Sequence, residues 1–259
     1  MTNCLVKKFP YNTLFGKLVR LPLRLIPKTA IFTVKTGINR GMKWIIGSSV
    51  HGCWIGNYET EKQAIVKQLI KPGVTVFDIG GNAGFYTLAF SRLVGKGGHV
   101  WTFEPFAENI RNLLDHVRLN QLSNVKIMQT AISEKEDIVD FQIAEHNAMG
   151  KMARGGSVYK VSTFSLDYLI ANGNVPIPDV IKMDVEGAES LVLSGALKML
   201  SLNKTVLMIA LHGEVQRREC YQILDQLGYK IFLLNRQPIT AVDQLTEDEI
   251  YASPYDVSL

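Results

Sequence analysis

The sequence predicts an α/β fold: a mostly parallel sheet with helices on both faces, preceded by a basic N-terminal extension. Three observations predict it. From about residue 60, short apolar runs of strand length alternate with amphipathic stretches of helical length, the pattern of successive βαβ units. The first apolar run ends in a glycine-rich turn, Asp78-Ile79-Gly80-Gly81-Asn82-Ala83-Gly84. Charge is also unevenly spread: residues 1–58 carry nine Lys or Arg and no acid, whereas residues 59–259 carry 19 basic and 24 acidic residues. The expected division is therefore an extension over 1–58 packed on a main domain over 59–259.

The elements follow in order. Residues 59–70 place Ala64, Ile65 and Leu69 at helical spacing, and Pro72-Gly73 ends the run. Residues 74–79 form a short strand running into the glycines, and 86–94 a helix closed by Gly95 to Gly98. Residues 99–104 are a second strand ended by Pro105, 108–120 a helix and 125–130 a third strand. Strands are expected at 139–143 and 157–163 around a polar loop. A buried-type strand at 180–183 precedes one helix over 189–200. Strand 205–211, helix 214–227 and strand 230–234 complete the alternation. Within the extension, 30–35 and 42–46 have strand character.

Composition narrows the class. Of 259 residues, 47% are hydrophobic and 20% charged, which excludes wholesale disorder. No apolar run reaches the roughly 18–20 residues of a spanning helix. Lys7, Lys8, Lys17, Arg20 and Arg24 interrupt what would be the core of a secretion signal. A cytoplasmic protein is expected, with peripheral membrane contact as a role for the basic residues of the stretch 14–26. Cys4, Cys53 and Cys220 lie far apart without a Cys-x-x-Cys pair, so reduced thiols are expected.

The glycine turn identifies the ligand class. In an open parallel sheet, ligands bind beyond the carboxyl ends of the strands. Gly80 and Gly84 allow a sharp turn and close backbone approach, and the helix starting near Phe85 offers free N–H groups. A dinucleotide site needs Gly-x-Gly-x-x-Gly, but Asn82 stands at the second glycine. Asp78, two residues before Gly80, opposes a pyrophosphate and suits a cofactor bearing an ammonium and a sulfonium, S-adenosylmethionine. Glu104, at the end of the next strand, is positioned to accept both ribose hydroxyls. Pro105 follows it, and the backbone around Thr130-Ala131-Ile132 is expected at the adenine edge. A nicotinamide-dependent oxidoreductase and a catalytically silent nucleoside-binding protein remain alternatives.

Further along, Ile181-Lys182-Met183-Asp184-Val185-Glu186-Gly187-Ala188-Glu189 joins Gly56-Asn57-Tyr58-Glu59, the Asp78–Tyr86 turn and Phe103-Glu104-Pro105. Together they resemble the FkbM family of methyltransferases over roughly residues 40–235. The resemblance implies a class I methyltransferase (Rossmann-like) fold with seven strands, and methyl transfer to an oxygen of a sugar, glycan or natural product. One position departs from it: the family commonly has Glu two residues before the histidine of the segment Ile209-Ala210-Leu211-His212, and here that residue is Ala210.

Methyl transfer is an in-line displacement in which positioning supplies much of the rate, and a hydroxyl acceptor needs a base within hydrogen-bond reach. Asp184 and His212, at the ends of neighbouring strands, are the expected catalytic groups with Glu186; Asp184 also borders the cofactor. The same three offer oxygen and nitrogen donors to a divalent metal, although metal independence is the favoured expectation. Glu59 is placed either to reach the cofactor's ammonium or to cap its helix, and Glu189 to complement the dipole of the helix it opens. Trp44, Trp54, Tyr58, Phe85 and Tyr86 read first as core aromatics, second as a stacking surface. A small-molecule or glycan acceptor is expected over nucleic acid, because the chain lacks an Asn-Pro-Pro-Tyr motif and is acidic beyond residue 58.

Overall fold

A computed structural model describes residues 26–142, 158–202 and 204–255. The expected interfacial stretch at 14–26 therefore lies almost wholly outside the described residues. The chain forms two compact units, Met1–Thr60 and Glu61–Leu259.

In the first unit, β1 (Ile31–Thr33) and β2 (Lys43–Ile45) pair antiparallel with Phe32 opposite Trp44. Trp44 and Ile38 are fully buried. The short helix α1 (His51–Ile55) ends at Gly56, whose φ of 92° suits glycine. A side chain there would strike the Thr36 carbonyl, while the Thr36 hydroxyl donates to the Ile55 carbonyl at 2.7 Å. Trp54 packs edge-on to Phe32 and donates its indole N–H to His51.

The second unit begins with α2 (Thr60–Leu69) and continues through β3 (Thr75–Ile79), α3 (Phe85–Val94), β4 (His99–Phe103), α4 (Ala107–Leu119) and β5 (Val125–Met128). A side structure of β6 (Ala131–Ile132), β7 (Asp137–Gln142) and β8 (Val158–Phe164) follows, then α5 (Leu166–Ala171) and β9 (Val180–Met183). Next come α6 (Glu189–Ser194), α7 (Leu197–Leu200), β10 (Val206–Ala210) and α8 (Glu214–Gln226). The last strands are β11 (Lys230–Leu233), β12 (Pro238–Ile239) and β13 (Glu249–Ser253).

Among the described residues the main sheet has eight strands in the order β12-β11-β13-β10-β9-β3-β4-β5. From β10 to β5 they run parallel, while β13 is antiparallel to both β10 and β11. The central strands β9 and β10 are buried along their whole length, as parallel strands covered on both faces must be. From β3 the chain moves outward through β4 and β5, then returns to place β9 on the other side of β3. That reversal opens a crevice beyond the carboxyl ends of β3 and β9, where open α/β sheets bind ligands.

Three expectations need correction. The sheet has one strand more than the seven expected, because Pro238 and Ile239 add to β11 at the edge, where proline's missing N–H costs no ladder bond. The single helix expected at 189–200 is broken at Gly195-Ala196: the Gly195 carbonyl accepts from Asp167 N–H, and the Ser133 backbone comes so close that only glycine fits. The Asp167 carboxylate then takes the first free N–H groups of α7, from Lys198 and Met199. Third, β7 starts two residues before the expected strand at 139–143. Ile143, Ser157 and the loop between them lie outside the described residues. Helix α5, capped by the Ser165 hydroxyl, and strand β13 were not anticipated.

Candidate active site

The glycine turn is built by the ends of β3, β4 and β9. Gly80 and Gly81 N–H both donate to the Phe103 carbonyl, which fastens the turn to β4. Gly80 has φ 78°, and a Cβ on it would run into the Asp184 carbonyl, so glycine lets the end of β9 close against the turn. Asn82 adopts φ 47°, a left-handed conformation this residue tolerates, and its side-chain oxygen accepts from Ala83 N–H. Gly84 (φ 96°) leads into α3, whose first residue, Phe85, is buried.

The Glu104 carboxylate lies under this turn. Asn82 N–H donates to it at 2.8 Å, Phe106 N–H at 3.0 Å and the Asn109 amide at 3.2 Å. Burial raises its pKa, and those three donors oppose the rise. Pro105 spans the short stretch between Glu104 and Phe106 and is half-buried. Ala131 opens β6 and pairs with Thr163 of β8, while the Thr130 hydroxyl bonds the Ser162 carbonyl, so this segment joins the side sheet as it leaves β5.

Asp78 has no exposed surface. One carboxylate oxygen accepts from the Thr87 hydroxyl at 2.6 Å; the other, Oδ1, makes no hydrogen bond and faces Lys182 Nζ at 3.6 Å. Burial raises the Asp78 pKa against the pull of Lys182 and Thr87. The carboxylate that was expected to meet a cofactor ammonium thus has a lysine of the protein beside it. Lys182 is almost fully buried and also lies 3.5 Å from Asp184 Oδ2. Lys182 has no role among the sequence-based expectations. The signal was present, since Lys182 on β9 and Asp184, the first residue past its end, are two apart in extended chain and so point the same way. Tyr86 fills the space nearby, with Lys182 and Lys62 both over its ring, at 5.3 and 5.6 Å from its centroid.

The second group of expected residues does converge. His212 Nε2 lies 3.7 Å from Asp184 Oδ1 and 3.6 Å from Glu186 Oε2. One donor atom from each residue falls within 4.8 Å of the others, a spacing able to hold a metal ion. Glu186 sits at φ 56° in the bend after β9, a conformation uncommon for a non-glycine residue.

Glu189 is the partner of His212, a pairing not expected from the sequence. It does open a helix, as expected, but its side chain is fully buried rather than solvated at the dipole. Its Oε1 accepts from Gly187 N–H and lies 2.8 Å from His212 Nδ1. That hydrogen bond raises the His212 pKa against desolvation, helped by the charges of Glu189, Glu186 and Asp184. Burial pushes Asp184 up, but Lys182, Lys62 and His212 outweigh it and its pKa is lowered.

At Ala210, a carboxylate stands one strand away. Ala210 pairs with Glu249 of β13, and directly opposed residues share a face of the sheet. Glu249 forms an ion pair with the buried Lys62. Glu59, in the first unit, directly precedes α2 with φ 44°. Trp44, Trp54, Phe85 and Tyr86 are buried, in keeping with core aromatics, and Tyr58 is half-buried.

Comparison with known proteins matches residues 78–231 to the Methyltransferase FkbM domain. Hexuronic acid methyltransferase AglP of Haloferax volcanii is 27% identical over 165 residues, covering 62% of this chain and 66% of that protein. 2-O-methyltransferase NoeI of Sinorhizobium fredii is 26% identical over 177 residues, covering 61% and 70%. The crystal structure of methyltransferase FkbM from Methylobacillus flagellatus superposes with a TM-score of 0.50 at 22% identity, over 70% of this chain and 43% of that one. The chain thus spans two thirds or less of the length of AglP and of the M. flagellatus protein.

Proposed function

The chain belongs to the FkbM methyltransferase family, and from that premise we propose that it is an S-adenosylmethionine-dependent O-methyltransferase acting on a hydroxyl of a sugar or glycan. The observation that carries the proposal is the meeting of two features at the strand ends: a glycine turn closed against the end of β9, and the Asp184, Glu186 and His212 cluster just past the ends of β9 and β10.

The turn fits the cofactor. A side chain on Gly80 would strike the Asp184 carbonyl and one on Gly84 the Leu113 side chain, so the two glycines let the turn close, with Gly80, Asn82, Gly84 and Phe85 placed along the cofactor. Glu104 already accepts three hydrogen bonds. A carboxylate has about four acceptor positions, so Glu104 has room for one ribose hydroxyl rather than the expected pair. Pro105 and Ala131 border the nucleoside at the ends of the next two strands. Asp78 holds the turn from beneath, through Thr87 and Lys182.

Bound there, S-adenosylmethionine supplies a methyl carbon: the acceptor oxygen forms the new O–C bond and the S–C electron pair stays on sulfur, leaving S-adenosylhomocysteine. Asp184, Glu186 and His212 orient the acceptor hydroxyl and take up its proton. AglP's name gives a hexuronic acid as that enzyme's acceptor, and NoeI's gives an oxygen as the atom methylated. The first name supports a sugar acceptor here and the second an oxygen as the atom methylated. Ala210 would favour a silent protein, but Glu249 restores a carboxylate to that face.

Calorimetry with S-adenosylhomocysteine and NADH, on wild type and Asp78→Ala, tests the cofactor. S-adenosylhomocysteine binding that is lost in the variant, with no NADH binding, is expected. NADH binding alone would return the turn to the dinucleotide class. Transfer of a labelled methyl group to a panel of sugars and uronic acids tests the acceptor; cofactor binding without any methylated product would favour the silent protein.

A further inference from the structure

We infer that Asp184, Glu186 and His212 bind a divalent cation of the magnesium or manganese class, with Glu189 fixing the imidazole from behind, and that this cation receives the acceptor hydroxyl. The inference rests on the methyltransferase reading and specifies its acceptor end.

The hydrogen-bond directions lead to it. Glu189 Oε1 already accepts from Gly187 N–H, so it meets His212 Nδ1 as an acceptor and holds the proton on that nitrogen. In the neutral imidazole, the form a cation would select, Nε2 then presents a lone pair. It faces Asp184 Oδ1 at 3.7 Å and Glu186 Oε2 at 3.6 Å, and both of these are lone-pair atoms too. In that form three acceptor atoms converge with no hydrogen among them. The gaps are too long for hydrogen bonds. They suit atoms sharing one ion, whose oxygen and imidazole ligands sit about 2.0–2.2 Å away.

Charge leads the same way. Asp184, Glu186 and Glu189 bring three carboxylates around one imidazole. The lysine touching Asp184 is shared with Asp78, and Lys62 is paired with Glu249. With the imidazole neutral, three carboxylates meet there beside the one lysine that Asp184 shares with Asp78. A separate observation is Glu189 itself: it is fully buried, Oε1 meets the imidazole, and Oε2 lacks any hydrogen-bond partner among the described residues. A buried carboxylate bonded to a histidine's second nitrogen is the usual outer support of a metal ligand.

Three protein ligands leave about three positions of a six-coordinate ion open. The acceptor class is then a hydroxyl with a second oxygen beside it, a vicinal diol or a hydroxy acid, two oxygens that one ion can hold together. The ion favours loss of the hydroxyl proton. Glu186 Oε1, the carboxylate oxygen outside the cluster, accepts that proton as the O–CH3 bond forms.

The test titrates Mn2+ into chelator-treated wild type, followed by electron paramagnetic resonance and calorimetry, with S-adenosylhomocysteine binding measured on the same samples. One Mn2+ per chain is expected, weakened about 10–100-fold in Glu189→Gln and at least as much in His212→Ala, while S-adenosylhomocysteine still binds both variants and reports that they are folded. Chelated wild type that binds S-adenosylhomocysteine but not Mn2+ would overturn the cation site and leave the methyltransferase reading standing. Equal Mn2+ binding by wild type and His212→Ala would also overturn it. Failure of wild type to bind S-adenosylhomocysteine would instead strike the reading beneath it.

Discussion

The two carboxylate groups at the open end of the sheet differ in how far the protein satisfies them. On the β3 and β4 side, Glu104 takes three hydrogen bonds, and Asp78 takes one plus an ion pair with Lys182. On the β9 and β10 side, Asp184 and Glu186 face an imidazole across 3.6–3.7 Å, without a hydrogen bond between them. The first group is committed to the fold and shapes the crevice; the second has unspent acceptor capacity. On the proposed reading, cofactor binding and chemistry are thus divided between neighbouring strand ends. The difference predicts that substitutions on the two sides fail in different ways.

The largest effect is expected at the bridge between them. Lys182→Met leaves Asp78 buried beside an apolar side chain. Breaking a buried ion pair from one side costs about 3–5 kcal/mol, or roughly 6–20 °C of melting temperature for a unit of this size. Thermal unfolding reads this directly. An unchanged melt would mean that Asp78 is already protonated in the native state. Asp78→Asn with Lys182→Met should recover part of the loss, because no unpaired charge remains.

Next is Glu104→Gln. The amide places an NH2 where a carboxylate oxygen met the Asn82 or Phe106 N–H, leaving a donor facing a donor. An unsatisfied buried group costs about 1–3 kcal/mol, and S-adenosylhomocysteine affinity should fall at least tenfold by calorimetry. Affinity within twofold of wild type would remove Glu104 from the cofactor site.

Glu249→Gln comes third. It leaves the buried Lys62 facing a neutral amide, with Glu249 itself partly exposed, so the cost is smaller, about 1 kcal/mol. Methyl transfer should fall more than stability does if Glu249 supplies the carboxylate missing at Ala210. Unchanged transfer alongside a lowered melt would make the Lys62–Glu249 pair a purely structural bond.

Much of this division was legible in the sequence, for reasons that particular residues make plain. The parallel strands could be read because burial on both faces forces continuous apolar runs, as in Val180–Met183, whose bounds were anticipated residue for residue. Gly80 and Gly84 could be read because only glycine tolerates such close approach. Strand β13 was not legible: it is a five-residue run inserted antiparallel between β10 and β11, and the preceding alternation gives no hint of it. The break at Gly195 depends on the Ser133 backbone, 62 positions away in sequence, so helix periodicity ran straight through it. Glu189 was read from its place at a helix start, where dipole stabilisation is the ordinary role. Its partner, His212, arrives from the next strand and is visible only after folding.

The smallest stability effect, and the sharpest contrast, is expected for Glu186→Gln. On the committed side, removing a carboxylate breaks bonds. Here it removes one of three carboxylates crowding a single imidazole, so the mutual repulsion lost offsets the attraction lost. The melt should stay within about 0.5 kcal/mol of wild type, or rise. Methyl transfer should fall at least tenfold while S-adenosylhomocysteine affinity holds. A fall in stability of several kcal/mol would mean that Glu186 is bound to an imidazolium as a structural ion pair, and both strand ends would then be scaffold. Lost transfer with an intact melt would show that the bend after β9 carries a carboxylate the fold does not need, held in place for what binds there.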